Sequence, residues 1–433
     1  MEKSSPHGGL PPRTYSFITL GCKSNQYDSA AMAASLRQSG LAPSDLDGAD
    51  VIVVNTCMVT GSTEAQCRKA IRRARKANSD ARLVVVGCLS KGDPDQIRSM
   101  PEADLVLGPS EKGMLTHFLN LADHGSWTDW PEDPAVSLEH RDRGFLKVQD
   151  GCDHRCSYCI VPSVRGPGRS LAPATVVSSV RALMEKGFAE VVLTGIHLGM
   201  YGRDLSPPAT LEDLLDRLMV NGLPGRIRLS SIEPLEVTSR LLGLMARFPG
   251  AVCRHLHIPL QSGSDPILNA MNRPYGSTDF EAAVRAARAA VPGIGIGCDV
   301  ICGFPGETEE DFSRTVELVT DLHIPYLHAF PFSSRPGTAA ASMGDDVPVR
   351  VKRARVRRLT ELAGMNRKRF LAGQVGSVLG VVPENRRLER GSMALGDNYT
   401  RVLIAGDVGP LAGTIVRVRI TGIEGDVLTG VVS

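Results

Sequence analysis

Short apolar runs alternate with helix-competent stretches along most of this chain, and that alternation commits it to parallel sheets flanked by helices. The first series has runs at Tyr15–Leu20, Val51–Val54, Leu83–Val86 and Leu105–Leu107, each followed by a segment able to form a helix. It predicts a doubly wound α/β domain over residues 14–123. A second series has strand candidates Phe145–Gln149, Glu190–Thr194, Arg226–Ser230, His255–Ile258, Gly295–Cys302 and Ile324–Phe330. Helical stretches such as Thr175–Lys186, Leu211–Val220 and Glu309–Leu322 lie between them. Six β/α repeats fall short of the eight in a closed barrel, so residues 144–348 read as a partial, open (β/α)6 barrel. Between the two series, residues 124–143 hold charged clusters, two prolines, Trp127 and Trp130, and read as a linker whose tryptophans cap a domain interface. A basic helix follows at 349–372. Residues 373–433 are rich in Val and Gly, with alternating runs at Ser377–Val382, Arg401–Ile404 and Thr414–Ile420, the pattern of a small β-barrel that grips nucleic acid.

Domains of this size fold without disulfide staples, so the ten cysteines need another explanation. Residues Met1 to Pro12 are polar and lack an apolar signal core, and no later stretch is long and apolar enough to span a membrane. The expected location is the cytoplasm, where thiols stay reduced and clustered cysteines read as metal ligands or reactive groups. Net charge is only +2, but nine Lys or Arg residues stand against one acid, Glu361, between Arg350 and Arg369. That stretch is a solvated face or, ahead of a nucleic-acid barrel, a phosphate-binding one.

Cys152, Cys156 and Cys159 fall within eight residues, so one loop can offer three thiolates to one metal centre. A four-iron cubane held by three ligands keeps one iron open, whereas structural zinc is closed by a fourth ligand. His154 or His257 could supply that fourth ligand; Tyr158, placed to lie against an adenine ring, argues for the open cubane. Three more cysteines recur in register: Cys22, Cys57 and Cys88 each follow an apolar run, at the sheet edge where doubly wound folds bind ligands. One such cysteine alone would be a packing residue. Cys67, Cys253, Cys298 and Cys302 read as packing residues, and His255 and His257 as core histidines.

The Cys152–Cys159 loop resembles the signature of the radical S-adenosylmethionine enzymes, and with Cys22, Cys57 and Cys88 it is similar to their methylthiotransferase branch. The likeness extends through Leu20–Gln26, Asn55–Cys57, Gly87–Cys88, Gln149–Cys152, Pro259–Ser264 and Gly303–Thr308. Leu193–Gly199, Arg228–Pro234 and His328–Thr338 resemble members that act on N6-threonylcarbamoyladenosine in tRNA, rather than those acting on isopentenyladenosine or on a ribosomal protein aspartate.

The resemblance implies two 4Fe-4S clusters, one on Cys152, Cys156 and Cys159 that binds S-adenosylmethionine, the other on Cys22, Cys57 and Cys88 that carries sulfur. It also implies methylthiolation at C2 of the adenine at position 37 of tRNA, an electron donor such as flavodoxin or ferredoxin, and a TRAM-like RNA-binding barrel over 373–433. Candidate cofactor contacts are Tyr158, Gly195, Ser231 and Gln261, each of which reads equally as ordinary loop and turn chemistry, and no catalytic side chain beyond the cluster ligands is called for. Arg165 and Arg169 are candidates for a cofactor carboxylate or an RNA phosphate, or are solvated surface arginines, and Gly303–Thr308 is a nucleoside cradle or a plain strand-to-helix turn. The reading of another class is a non-catalytic RNA-binding protein whose metal sites are structural.

Overall fold

The computed structural model describes residues 11–121, 127, 130–131, 133–136, 142–220, 222–388, 390–406, 408 and 413–433; the amino-terminal stretch 1–10 and most of the expected linker lie outside them. Strands β1 (Thr14–Thr19), β2 (Ala42–Pro43), β3 (Val51–Thr56), β4 (Arg82–Gly87) and β5 (Leu105–Leu107) form a parallel sheet in the order β2-β1-β3-β4-β5. Successive strand residues point to opposite faces, so Val51, Val53, Val84 and Val86 pack towards helix α1 (Lys23–Gln38). Ile52, Val54, Leu83 and Val85 pack towards helix α2 (Gly61–Ala77). Both faces are covered, which is why these strands read as unbroken apolar runs. The α1 face continues without a break into the apolar core of the second unit, through Leu146, Val148, Val191 and Leu193.

That unit has strands β6 (Gly144–Lys147), β7 (Glu190–Thr194), β8 (Arg226–Leu229), β9 (His255–His257), β10 (Gly295–Cys302) and β11 (Tyr326–Pro331). β6, β7 and β8 pair in parallel, as do β9, β10 and β11, and the bridges Ile227–Val252 and Ser231–His257 join the two groups into a partial (β/α)6 barrel. Trp127 packs on Gly113 of the first unit, and Trp130 Nε1 donates to Lys147 O of the second, so both tryptophans lie where the units meet.

The C-terminal strands β12 (Val378–Leu388), β13 (Gly391–Gly396), β14 (Arg401–Ala405), β15 (Val416–Glu424) and β16 (Val427–Val432) close a barrel in the order β12-β13-β14-β16-β15. Three strands were expected there; β13 and β16 complete it. The barrel docks on the amino ends of the parallel strands. Arg226 donates to Gly380 O and Leu395 O, and Arg228 to Gly396 O and Asp397 O, at 2.7–3.1 Å. Both arginines are fully buried and share Glu190 at 2.6–2.9 Å. Burial alone would raise the Glu190 carboxyl, but Arg228 and Arg226 outweigh it and hold the group well below the usual range. The carboxyl ends of the same strands stay open, which leaves them for chemistry.

Two more elements position that open end. Helix α5 (Glu309–Asp321) starts at a capping box in which Asp311 N–H donates to Thr308 Oγ1 and Thr308 N–H to the Asp311 carboxylate. Gly303 N–H donates to Glu307 Oε2 at 2.6 Å, so Gly303–Thr308 is a self-satisfied strand-to-helix turn rather than a set of free backbone donors. The basic helix α6 (Val349–Ala372) runs from this turn, where Lys352 packs on Gly303, to the C-terminal barrel. Lys352 and Arg355 are buried and paired with Asp345 and Glu307, while Arg350, Arg353, Arg357, Arg358, Lys368 and Arg369 are exposed. Part of the basic stretch is therefore structural. No helix among the described residues is long and apolar enough to cross a membrane.

Candidate active site

Helices α3 (Cys88–Gly92) and α4 (Val161–Arg165) bring the two cysteine groups together. Cys22 caps α1 after β1, Cys57 follows β3, and Cys88 opens α3 after β4, so the three thiols sit on three adjoining strand ends. Glycines make the approach possible. Gly21, at φ +98°, lies so close to Cys57 that a Cβ there would stand 2.5 Å from Cys57 Cβ. Gly87, at φ +107°, lies so close to Thr56 that a Cβ would stand 2.4 Å from its carbonyl oxygen. Side chains pin the same loops: Asn25 Nδ2 donates to Leu20 O and Thr56 O, and Asn55 Nδ2 to Asn25 O and Ser29 Oγ, at 2.8–3.0 Å. Burial pushes the Cys57 thiol up to about 12, and the neighbouring Cys22 and Cys88 add to it. Such a thiol ionises only against a strong local cation, the role of a bound metal centre. Cys67 is a packing residue with a polar use: its Sγ accepts Cys57 N–H at 3.4 Å.

The second group begins at Gly151, whose φ of +73° and closeness to Pro167 O exclude any side chain. Ser157 N–H donates to Met271 O, Ala340 N–H to Ser157 O, and Cys159 N–H to Cys156 O, at 2.7–3.0 Å, which curls Cys152, Cys156 and Cys159 into one loop. Arg273 donates to Cys156 Sγ at 3.0 Å and is paired with Glu233. His197 Nδ1 lies 3.7 Å from Cys152 Sγ and its Nε2 2.7 Å from Glu236 Oε1. Burial opposes a charge on His197, but its bonds to Cys152 and Glu236 outweigh burial and push it up to about 10. Burial also pushes Cys159 up to about 12.

Among the described residues, the groups whose ligand atoms all lie within 4.8 Å of one another are His154–His197–Glu233 and His257–Asp299–His328, and neither contains a cysteine. Three thiols on adjoining strand ends and three on one loop are a donor set that iron–sulfur clusters take.

Arg165 stands between the trios. It donates to both Asp150 oxygens at 2.8 and 3.0 Å and to Asn25 Oδ1 at 2.6 Å, and lies 3.4 Å from Asp28. Lys147 bridges Asp28 and Asp150 at 2.8 Å each, and Lys112 reaches Asp28 at 2.6 Å. All five charged side chains are buried, and three cations against two acids leave a positive charge beside the thiols. Arg165 is thus neither a surface arginine nor a cofactor or phosphate ligand, because its donors are spent inside the protein. Arg169 donates to Arg165 O, which ties it to the same structure. On the apolar side, Ile160 and Val164 pack with Met58, Cys88 and Leu89.

Gly195, Ser231 and Gln261 lie just past the carboxyl ends of β7, β8 and β9. Gln261 takes φ +64°, held there by its N–H to Asp299 O and its carbonyl to Ile301 N–H. Tyr158 is half-buried; it packs against the Ile267, Met271, Phe304 and Phe332 cluster and receives Arg273 at 3.4 Å. Sequence reasoning missed Arg273, Glu233 and His197, although His197 and Glu233 stand inside segments that carried the resemblance. His257 is satisfied by Asp299, whose Oδ2 lies 3.0 Å from its Nε2.

Residues 14–108 match the model described as Uncharacterized protein family UPF0004, and residues 146–319 match the Radical SAM superfamily. The chain is 35% identical to Threonylcarbamoyladenosine tRNA methylthiotransferase MtaB of Bacillus subtilis (strain 168), over 94% of this chain and 93% of that protein. It is 36% identical to tRNA-2-methylthio-N(6)-dimethylallyladenosine synthase of Salinispora arenicola (strain CNS-205), over 93% and 84%. Among solved structures, the radical S-adenosylmethionine methyltransferase TsrM from Kitasatospora setae aligns over 87% of this chain and 79% of its own, with TM-score 0.55 and 17% identity, a likeness of fold alone.

Proposed function

Because the chain belongs to the radical S-adenosylmethionine methylthiotransferase family and is a tRNA-modifying enzyme, we propose that it methylthiolates C2 of N6-threonylcarbamoyladenosine at position 37 of tRNA with two iron–sulfur clusters. The observation that carries the two-cluster reading is the pair of cysteine trios set across α3 and α4, with Arg165 between them. Cys152, Cys156 and Cys159 would hold the cluster that, with S-adenosylmethionine, would supply the radical chemistry, and Cys22, Cys57 and Cys88 would hold the cluster that would supply sulfur.

The chain's own residues orient and enclose these groups. Arg273 and His197 aim N–H donors at Cys156 and Cys152, so thiolate charge is met by hydrogen bonds. Arg165, Lys147 and Lys112 hold the two loops in fixed register and add positive charge behind them. Tyr158, Gly195, Ser231 and Gln261 serve as the contacts for S-adenosylmethionine. The tRNA lies along the exposed cations of α6, a helix about 36 Å long at 1.5 Å per residue that runs from the open end to the C-terminal barrel. Those contacts grip phosphate without reading sequence, and the target base turns out of its stack to reach the site. In this reading 373–433 is the TRAM-like RNA-binding barrel, and an electron donor such as flavodoxin or ferredoxin serves the clusters.

The named substrate of the Bacillus subtilis relative, with others of that name, supports threonylcarbamoyladenosine. The Salinispora arenicola relative, at similar identity, keeps isopentenyladenosine as the second reading. Mass spectrometry of tRNA nucleosides from a strain lacking the gene decides between them. Loss of the 2-methylthio group from threonylcarbamoyladenosine alone is expected; its loss from isopentenyladenosine supports the second reading, and an unchanged profile contradicts both.

A further inference from the structure

Inside the open barrel lies a group of side chains that the cluster ligands and cofactor contacts do not use. His257 ends β9, and Asp299 of β10 pairs in register with His328 of β11. His257 Nε2 stands 3.0 Å from Asp299 Oδ2 and His328 Nδ1 3.2 Å from Asp299 Oδ1, with the two rings stacked at 5.8 Å. One carboxylate thus orients both imidazoles, and each donates one N–H to it. His328 is the most open of the three, its side chain 62% exposed against 16% for His257, so its remaining nitrogen, Nε2, is left for a ligand. Phe330, two residues on and 38% exposed, stands 6.4 Å from the His328 ring.

The group adjoins the cofactor positions, since Ser231 bridges to His257 and Gln261 N–H donates to Asp299 O. The hydrogen bond that His328 donates to Asp299 raises the imidazole towards its charged form, against burial. With Nδ1 held by Asp299, the exposed His328 can offer its Nε2–H to an anion, and an exposed aromatic beside it offers a face to a base turned out of its stack. An isopentenyl substituent has neither charge nor acceptor and would use none of this.

We propose that His257, Asp299 and His328 form the subsite for the carboxylate of the N6-threonylcarbamoyl group, with His328 as the specificity-determining contact and Phe330 against the base. This rests on the threonylcarbamoyladenosine reading. The test is equilibrium binding of the reconstituted full chain to two anticodon stem-loop RNAs, one bearing threonylcarbamoyladenosine and one in which its carboxylate is an amide. The parent protein is expected to prefer the carboxylate RNA. His328→Gln is expected to weaken that RNA by about tenfold or more, the worth of a hydrogen bond to a charged group, and to leave the amide RNA unchanged. His328→Lys, which restores a cation at this exposed position, is expected to keep most of the preference. Equal loss on both RNAs, or loss on neither, overturns the proposal. So does a stoichiometric divalent ion, beyond cluster iron, that Asp299→Asn releases. Methylthiolation of an isopentenyladenosine stem-loop and not of the threonylcarbamoyl one by the parent protein would instead bring down the substrate reading on which the proposal stands.

Discussion

Cys57→Ala is expected to leave cleavage of S-adenosylmethionine to 5′-deoxyadenosine largely intact while abolishing thiolation, whereas Cys156→Ala abolishes both. The reason is the separation of the trios into two loops. Cys57 belongs to the edge of the first sheet, with Cys67 and Gly21 against it, whereas backbone bonds to Met271 and Ala340 curl the Cys152 loop. Cys156 is the thiol that Arg273 addresses directly. Chromatography of the deoxyadenosine and mass spectrometry of the modified RNA from one reaction read both outcomes. Identical failure of the two variants would mean that the trios do not have separate roles.

Arg165→Met is expected to destabilise the chain by about 3–5 kcal/mol, the cost of removing one partner from a buried ion network. Arg165 lies at 5% exposure and spends its guanidinium on Asp150, Asp28 and Asn25, so the two acids would keep only Lys147 and Lys112. Burial pushes both carboxyls up, but the lysines and Arg165 outweigh it and hold them well below their ordinary 3.8. A depressed carboxyl stabilises the fold above its unfolded value, so the network contributes fully at neutral pH and its contribution is lost as acid titrates the folded carboxyls. Arg165→Lys keeps the charge but loses the forked contact to Asp150 and Asn25, and an intermediate loss is expected. Thermal unfolding of the three proteins at pH 7 checks this; a methionine variant as stable as the parent would contradict it.

Parallel architecture was legible because strands covered on both faces read as apolar runs, and Glu190–Thr194 and Gly295–Cys302 match their expected bounds residue for residue. The C-terminal barrel was half legible. β13 reads Gly-Ser-Met-Ala-Leu-Gly and is buried at nearly every position, so it shows no alternation, and register shifts in β12 and β15 break theirs. Its docking on the amino ends was hidden, since Arg226 and Arg228 look like ordinary strand residues until Glu190 and four carbonyl oxygens surround them. For the site, the cysteine positions follow from chain-order register, and the structure brings each trio onto one edge or one loop. The charge network could not be read that way: Asp28 and Lys147 are 119 residues apart, and a pairing so distant leaves no local pattern. Arg165 was misread for that reason.

In the proposed enzyme two trios of thiolates each hold an open iron–sulfur cube. Iron, labile sulfide and zinc measured on the anaerobically reconstituted full chain and on Cys57→Ala test it most directly. About eight irons with matching sulfide in the parent, falling to about four in the variant, is the predicted result. Zinc in either trio, or an unchanged iron count in Cys57→Ala, would contradict it.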